Sequence, residues 1–325
     1  MTTTISAQPV IEDDFRPPGR LTDRAFRVLV FAVGALVLVI LALILVTLFN
    51  QSLPVLRSQG LSYLTSDVWD PSKATFGTLA FTFGTMVTSA IALVLAVPVS
   101  VGIALFTTEV APRWLKRPIV YLTDLLAAVP SVVFGLWGIL VLAPALQGFY
   151  QNWHDLFAGV PVLGTLFDGA PISGRSFMTA GLILAIMVTP IITSIARETF
   201  ATVPQSAKDA AHALGATRWE MIRASVFPHS RSGLVAGILI GLGRALGETI
   251  AAALVIGASP HITAKLFSSG YSLPSVIAND FGEATGDYRS ALIGMGVIVF
   301  VLTFIIGVVA RLYVARADRR MRGEA

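Results

Sequence analysis

The sequence predicts an all-α integral membrane protein, a bundle of six transmembrane helices with both termini in the cytoplasm. Three observations carry this expectation. Of 325 residues, 55% are hydrophobic and only 13% charged, about half the charge of a soluble domain. With a mean hydropathy of +0.77, that balance excludes both a soluble globular chain and a disordered one. The apolar residues gather in stretches long enough to cross a bilayer core, which takes roughly 20 residues of helix. The basic residues, finally, are divided very unequally between the two ends of those stretches.

The first stretch, residues 28–49, is free of charge and rich in Val, Leu, Ile and Ala. It is predicted as a peripheral, lipid-facing helix over 26–49. A disordered cytoplasmic tail, 1–25, precedes it, carrying Glu12, Asp13, Asp14 and the pair Pro17-Pro18. The helix is too long for a signal-peptide core, and Asn50-Gln51-Ser52-Leu53-Pro54 offers no small-x-small cleavage pattern. Residues 50–74 are expected as an extracytoplasmic loop. The core, 75–314, holds the other stretches: 74–108, 125–154 (apolar as far as Leu146), 176–196, 232–257 and 290–310. Residues 315–325 form a basic cytoplasmic tail.

Orientation follows from the basic residues. With the N-terminus inside, seventeen of the 23 fall in cytoplasmic segments, five fall outside and Arg244 lies within a span. The basic character of the chain is therefore the positive-inside rule expressed as composition, and no nucleic-acid surface is expected. The absence of cysteine excludes disulfides, thiolate metal sites and cysteine nucleophiles. The four histidines, His154, His212, His229 and His261, have no ligand spacing, so no metal site and no catalytic group are expected.

Pro98, Pro130, Pro144 and Pro190 lie within or near the ends of spans two to four. They free carbonyls that need partners in neighbouring helices or in a wet cavity. Such a bundle is either statically kinked or built to rearrange around a path. Ser131 and Thr189, hydroxyls in these spans, are candidates to line one. In the fifth stretch Gly233, Gly237 and Gly241, then Gly243 and Gly247, repeat at the spacing of a helix-packing face. Gly241 to Gly247 has the wrong spacing for a dinucleotide fingerprint, and no Walker A sequence occurs.

Arg244 sits at the middle of this stretch, where a charge is costly and must face protein or water. On a continuous helix Glu248, four residues on, shares its face. Two readings stand: a self-neutralising ion pair, or an anion path in which the guanidinium attracts an oxyanion and Gly237 and Gly241 leave space beside it. The path is favoured. The extracytoplasmic loops carry Tyr63, Trp69, Tyr150, Trp153 and Tyr271, expected as exposed anchors for a partner or as a membrane-interface belt.

The cytoplasmic segment 199–231 is more than a connector. Thr202-x-x-Gln205 with Pro204 reads as a capping box opening a helix, and Gly215 ends it. Thr217-x-x-Glu220 is a second box, and Pro228 is expected to close the next helix. Ala207, Ala210, Ala211 and Ala213 give the first helix a smooth face for a groove or for lipid.

Asp209-Ala210-Ala211, Gly215 and Phe227-Pro228 resemble the EAA loop of bacterial ABC importer permeases, with Asp209, Ser225 and Phe227 departing from that family's Glu, Ile and Leu. Gly241-Leu-Gly-Arg244-Ala-Leu-Gly-Glu248-Thr249 and Val129-Pro130-Ser131-Val-Val-Phe-Gly-Leu-Trp-Gly138 are similar to phosphate-specific permeases of the PstC type, over roughly residues 20 to 320. The resemblance implies an ABC importer permease bundle in a bacterial cytoplasmic membrane, taking up inorganic phosphate by alternating access. It implies a PstA-like second permease, a PstB-like ATPase dimer holding ATP and Mg, and a PstS-like extracytoplasmic binding protein. Asp209, Ala210, Ala211 and Gly215 would then couple to the ATPase, with Arg244 and Glu248 on the phosphate path; this chain would hold no cofactor and hydrolyse nothing. The alternative is a proton-coupled secondary anion transporter with Glu248 as proton carrier, which leaves the capped cytoplasmic helices without a task.

Overall fold

The structure, a computed structural model, describes residues 20–169 and 173–321. The described residues up to Thr47 fall in one compact unit and those from Leu48 onward in a second. The first unit is the bulk of α1 (Arg20–Gln59). No side chain between Asp23 and Thr47 is buried, as suits a helix whose neighbours are lipid chains. The expected tail 1–25 lies mostly outside the described residues, and helix already begins at Arg20. At the other end α1 passes the predicted limit of 49 and carries Pro54 within it. Packing explains the extension: in the second unit Val55 is buried with Tyr63, Phe76 and Ala291, and that contact overrides the polar run Asn50-Gln51-Ser52.

A small folded element follows where a plain loop is predicted. It comprises α2 (Ser62–Thr65) and an antiparallel pair, β1 (Trp69–Asp70) and β2 (Thr75–Phe76), in the register Trp69↔Phe76 and Asp70↔Thr75. The Asp70 carboxylate accepts the Ser72 hydroxyl at 2.6 Å and pairs with Lys73 at 3.2 Å, which together hold it below the usual carboxylate range.

α3 (Leu79–Leu105) ends in a π-helical turn, Phe106–Val110. α4 (Arg113–Ala128) fills the segment between the second and third predicted stretches and overlaps the start of the third. Leu115, Ile119 and Leu126 are half-buried while Arg113, Trp114, Lys116 and Arg117 are exposed, the two-faced pattern of an interfacial helix. The third span begins at Ser131 and not at Leu125, because Val129 and Pro130 are extended. It runs through α5 (Ser131–Trp137), a π-turn at Gly138–Leu142 and α6 (Ala143–Phe157). α7 (Leu163–Leu166) leads to α8 (Phe177–Ala201), whose start is capped by Ser176 accepting the Thr179 N–H. The short pair α9 (Gln205–Ala213) and α10 (Arg218–Met221) precedes a π-turn at Ile222–Val226. α11 (Phe227–Gly247), α12 (Ile250–Val255), α13 (Leu273–Asp280) and α14 (Gly286–Met321) complete the chain. The predicted tail 315–325 is thus helical at least to Met321.

Among the described residues five helices are long and apolar enough to cross a membrane: Asp23–Gln59, Leu79–Val110, Ser131–Phe157, Phe177–Ala201 and Gly286–Leu312. The predicted fifth stretch, 232–257, is not a single helix. It is broken between α11 and α12, and its glycines with Arg231 and Arg244 dilute the apolar character of α11. α8 is the centre of the second unit, with 61% of its apolar window buried against 28% or less in the other four. Phe177, Ile183, Leu184, Met187, Val188 and Ile192 pack there with residues of α3, α11 to α13 and α14.

The expected exposed aromatics belong to this interior. Tyr63, Tyr150 and Tyr271 are buried and Trp69 and Trp153 half-buried. Each tyrosine hydroxyl has a partner: Tyr63 donates to the Ala291 carbonyl at 2.6 Å, Tyr150 meets Thr179 at 2.7 Å, and Tyr271 donates to Asp280 at 3.2 Å. Aromatics with a satisfied polar tip are suited to burial, so they brace the helix ends instead of standing open as anchors.

Candidate translocation face and coupling element

The break after α11 is built from three residues. Glu248 is extended (φ −70°, ψ 126°), and its carboxylate Oε1 accepts the Ala251 N–H at 3.3 Å, capping α12. The Thr249 hydroxyl donates to the Gly247 carbonyl at 3.2 Å. Non-helical backbone at membrane depth is tolerated only where protein covers it or a wet cavity runs past it. The break also corrects the geometry expected of the charged pair. Arg244 and Glu248 do not lie one turn apart on a continuous helix, and among the described residues Arg244 has no ion-pair or hydrogen-bond partner. Glu248 serves α12, and the guanidinium is left free.

Arg244 is exposed, and so are Ala236, Ile240, Gly243 and Gly247. Spaced by three or four residues, they form one open stripe along α11. Gly237 and Gly241, expected beside the arginine, are buried against α8. A Cβ at Gly241 would stand 2.8 Å from Ile192 Cδ1, and one at Gly237 3.0 Å from Ile195 Cγ2. Gly233 meets Thr199 in the same way. That row is therefore a packing seam, while Gly243 and Gly247 have nothing within 4 Å of a built Cβ. The space around Arg244 comes from this second row.

Ser131 is half-buried at the start of α5. α5 lies against α12, since a Cβ at Gly135 would touch Ala251 Cα at 2.8 Å and one at Gly138 would touch Val255 Cγ1 at 2.8 Å. The motif Val129–Gly138 thus packs against the short helix that follows the break. Thr189 stays within α8: its hydroxyl donates to the Ala185 carbonyl at 2.7 Å, and its carbonyl accepts from Ser100 Oγ at 3.1 Å. Among the described residues no hydrogen bond joins Ser131, Thr189, Arg244 and Glu248 to one another.

At the other end of α11 the predicted pair of cytoplasmic helices is present with two corrections. Thr202 does not cap α9. Pro204 occupies the N-cap, and the Thr202 hydroxyl turns back to the Thr199 carbonyl at 2.7 Å. Pro228 does not end a helix either. It sits in the first turn of α11, directly after the π-turn Ile222–Val226, so a continuous rod runs from Arg218 to Gly247. A proline is tolerated where its missing N–H costs no regular helical bond.

Gly215 is left-handed (φ +83°). The Ala216 N–H reaches the Ala211 carbonyl at 3.1 Å and the Gly215 N–H reaches that of His212 at 2.9 Å, closing α9. The Thr217–Glu220 capping box is formed on both sides, and the Thr217 N–H, followed by its hydroxyl, holds the Glu220 carboxyl below its ordinary range. Asp209 is exposed and accepts from Gln205 Nε2 at 2.9 Å. Ala210 is exposed, while Ala211 is half-buried on a cluster formed by Ala104, Phe200, Met221 and Ile222. Leu214 and Trp219, flanking the Gly215 turn, are 90% and 60% exposed. Sequence reasoning missed Glu109, whose carboxylate meets Lys208 Nζ at 2.6 Å across 99 residues; nothing local in either segment announces that pairing.

Residues 97–323 match the family described as binding-protein-dependent transport system inner membrane component. Among curated proteins, the phosphate transport system permease protein PstC of Xylella fastidiosa (strain 9a5c) is 44% identical over 299 residues, 92% of each chain. That of Mesorhizobium japonicum is 45% identical over 302 residues, again 92% of each chain. PstC 2 of Mycobacterium bovis is 40% identical over 328 residues, 96% of this chain and 97% of that one. Among solved structures, an inward-facing MetNI methionine ABC transporter chain aligns with a TM-score of 0.50 at 17% identity, covering 74% of this chain and 94% of that one. At that identity the likeness concerns the fold alone.

Proposed function

The chain belongs to the binding-protein-dependent transport system inner membrane component family, and from that premise we propose that it forms half of a pore importing inorganic phosphate. It is a multi-pass permease subunit of an ABC importer, a transport pore and not an enzyme. Its relatives carry the name of phosphate transport permeases. The observation that supports this cargo most directly is Arg244: a guanidinium without a partner among the described residues, on an open stripe of α11, beside a break in the backbone. A planar, permanently charged donor suits a tetrahedral oxyanion.

In this reading α11, the break and α12 together make a sixth crossing, and both termini face the cytoplasm of a bacterial cell. The open stripe of α11 meets a PstA-like second permease across the pore. A PstS-like protein delivers phosphate from outside. A PstB-like dimer, holding ATP and Mg, docks on α9 and the Leu214–Trp219 surface. Closure of that dimer displaces α9, and the pore alternates between outward and inward access around Arg244. Glu248 accepts a hydrogen bond from a protonated phosphate and repels a fully deprotonated oxyanion.

Uptake of labelled phosphate into vesicles holding the four-component complex should require ATP and persist when the proton gradient is collapsed. Uptake driven by an imposed proton gradient without ATP would establish the secondary-transport alternative instead.

A further inference from the structure

Among the described residues one ion pair is withdrawn from solvent on both sides: Lys208 and Glu109, with side chains 12% and 6% exposed. A buried pair of this kind is weak as a stabiliser, because desolvation offsets much of the attraction. Its location is more informative than its strength. Lys208 precedes Asp209-Ala210-Ala211 on α9, and Glu109 lies in the π-turn that ends α3. The second polar tie of α9 goes elsewhere: Ser225 Oγ donates to the Ala207 carbonyl at 3.2 Å, and Ser225 lies in the π-turn Ile222–Val226 of the rod that carries Arg244. α9 is therefore held between two π-turns, each belonging to a different long helix. Such turns are rare and concentrate at functional sites.

We propose that Glu109 and Lys208 are positioning residues that form a strut, through which displacement of α9 by a docked partner is delivered to α3 as well as to the α11 rod. The proposal rests on reading α9 as the coupling helix. A charge-assisted hydrogen bond closed at both ends transmits push and pull, whereas the small apolar contact at Ala211 transmits push alone. α3 packs along α8, and α8 is seamed to α11 through Gly233, Gly237 and Gly241. With the strut closed, the three helices move as one body.

The test uses the complete complex in vesicles, reading ATP hydrolysis and phosphate uptake in the same preparation. Glu109→Gln and Lys208→Met should each recover the ATPase subunits and hydrolyse within about twofold of the parent, while phosphate carried per ATP falls at least tenfold. The exchange Glu109→Lys with Lys208→Glu should restore a third or more of the parental ratio. Unchanged ratios in the single variants overturn the strut, and so does loss of subunits that the exchange fails to rescue. A distance measurement that does not depend on the variants folding stands beside these. The chain has no cysteine, so spin labels at Ser206→Cys on α9 and at Val110→Cys, the exposed last residue of the π-turn that ends α3, report the separation of α9 from the end of α3. In the otherwise unaltered protein it should stay constant through the nucleotide cycle; a separation that changes with nucleotide overturns the proposal. A parent complex that binds no ATPase subunit at all would instead fail the coupling-helix reading itself.

Discussion

α11 carries two glycine rows of the same spacing, and they are put to opposite uses. Gly233, Gly237 and Gly241 press against Thr199, Ile195 and Ile192 so closely that an added Cβ would lie 2.4 to 3.0 Å from them. Gly243 and Gly247 face nothing within 4 Å. In lipid there is little hydrophobic drive between helices, and close van der Waals packing must hold them together. The first row is therefore what joins α11 to α8. The second leaves Arg244 uncovered. A four-residue glycine repeat specifies a smooth face; whether the face is filled depends on the neighbouring helix.

The strongest way to break this contrast is to fill the seam. Gly241→Leu places a branched side chain where Ile192 already stands, and overpacking of this kind costs about 1–3 kcal/mol or more. It should lower the thermal midpoint of the purified subunit sharply or prevent its recovery. A Leu at 241 that melts like the parent would mean the seam is not close-packed.

Next in size is Arg244→Gln, on the open row. It should leave the thermal midpoint and subunit recovery unchanged while phosphate uptake falls at least tenfold, because glutamine lacks the positive charge. Parental uptake in this variant removes Arg244 from the path. Glu248 separates two roles by choice of substitute. Glu248→Ala removes the α12 cap, at a cost of about 1 kcal/mol. Glu248→Gln keeps an acceptor for the Ala251 N–H and should instead relax rejection of sulfate in competition assays. If both variants lose the same stability and neither changes selectivity, the carboxylate is a cap and nothing more.

The smallest effects are expected where nothing touches. Gly247→Ala enters open space at a helix terminus with negative φ and should raise stability slightly, by up to about 1 kcal/mol, as read from the melting curve. At the start of α10, the lowered Glu220 carboxyl contributes to the helix only while ionised. Its contribution is present above the unfolded carboxylate pKa and lost as pH falls through the folded value. Protection of the Glu220 and Met221 amides, measured relative to the intrinsic exchange rate at each pH, should therefore fall in acid and stay unchanged on raising the pH from neutrality.

The membrane class, most spans, the Gly215 turn and the Thr217 box were legible because each depends on residues close together in sequence. The break at Glu248 was not. Gly247-Glu248-Thr249-Ile250 holds no proline, and the interruption is sustained by a carboxylate cap that a continuous helix would not need. α4 was legible in principle, since Leu115, Ile119, Leu122 and Leu126 keep a helical period, but the basic residues drew the segment into a loop. The buried tyrosines were misjudged because a tyrosine's exposure is decided by distant partners, such as Ala291 for Tyr63. Glu109 and Lys208 fall in the same class. Nothing within either segment indicates what the other brings.

The π-turn at Ile222–Val226 adds one residue to the count of an otherwise regular helix, and each residue of helix is about 100° of rotation. Everything beyond it, from Phe227 to Gly247, is turned by that amount relative to α10. The direction in which Arg244 points is thus a matter of phase, set some twenty positions upstream by a length and not by a contact. Removing a single residue from the turn would leave the composition of α11 intact and rotate its two glycine rows together: the close-packed row would leave α8, and the open one, with its charge, would swing to another side of the helix. Single-residue insertions and deletions in this rod should consequently be tolerated far less than substitutions at the same positions.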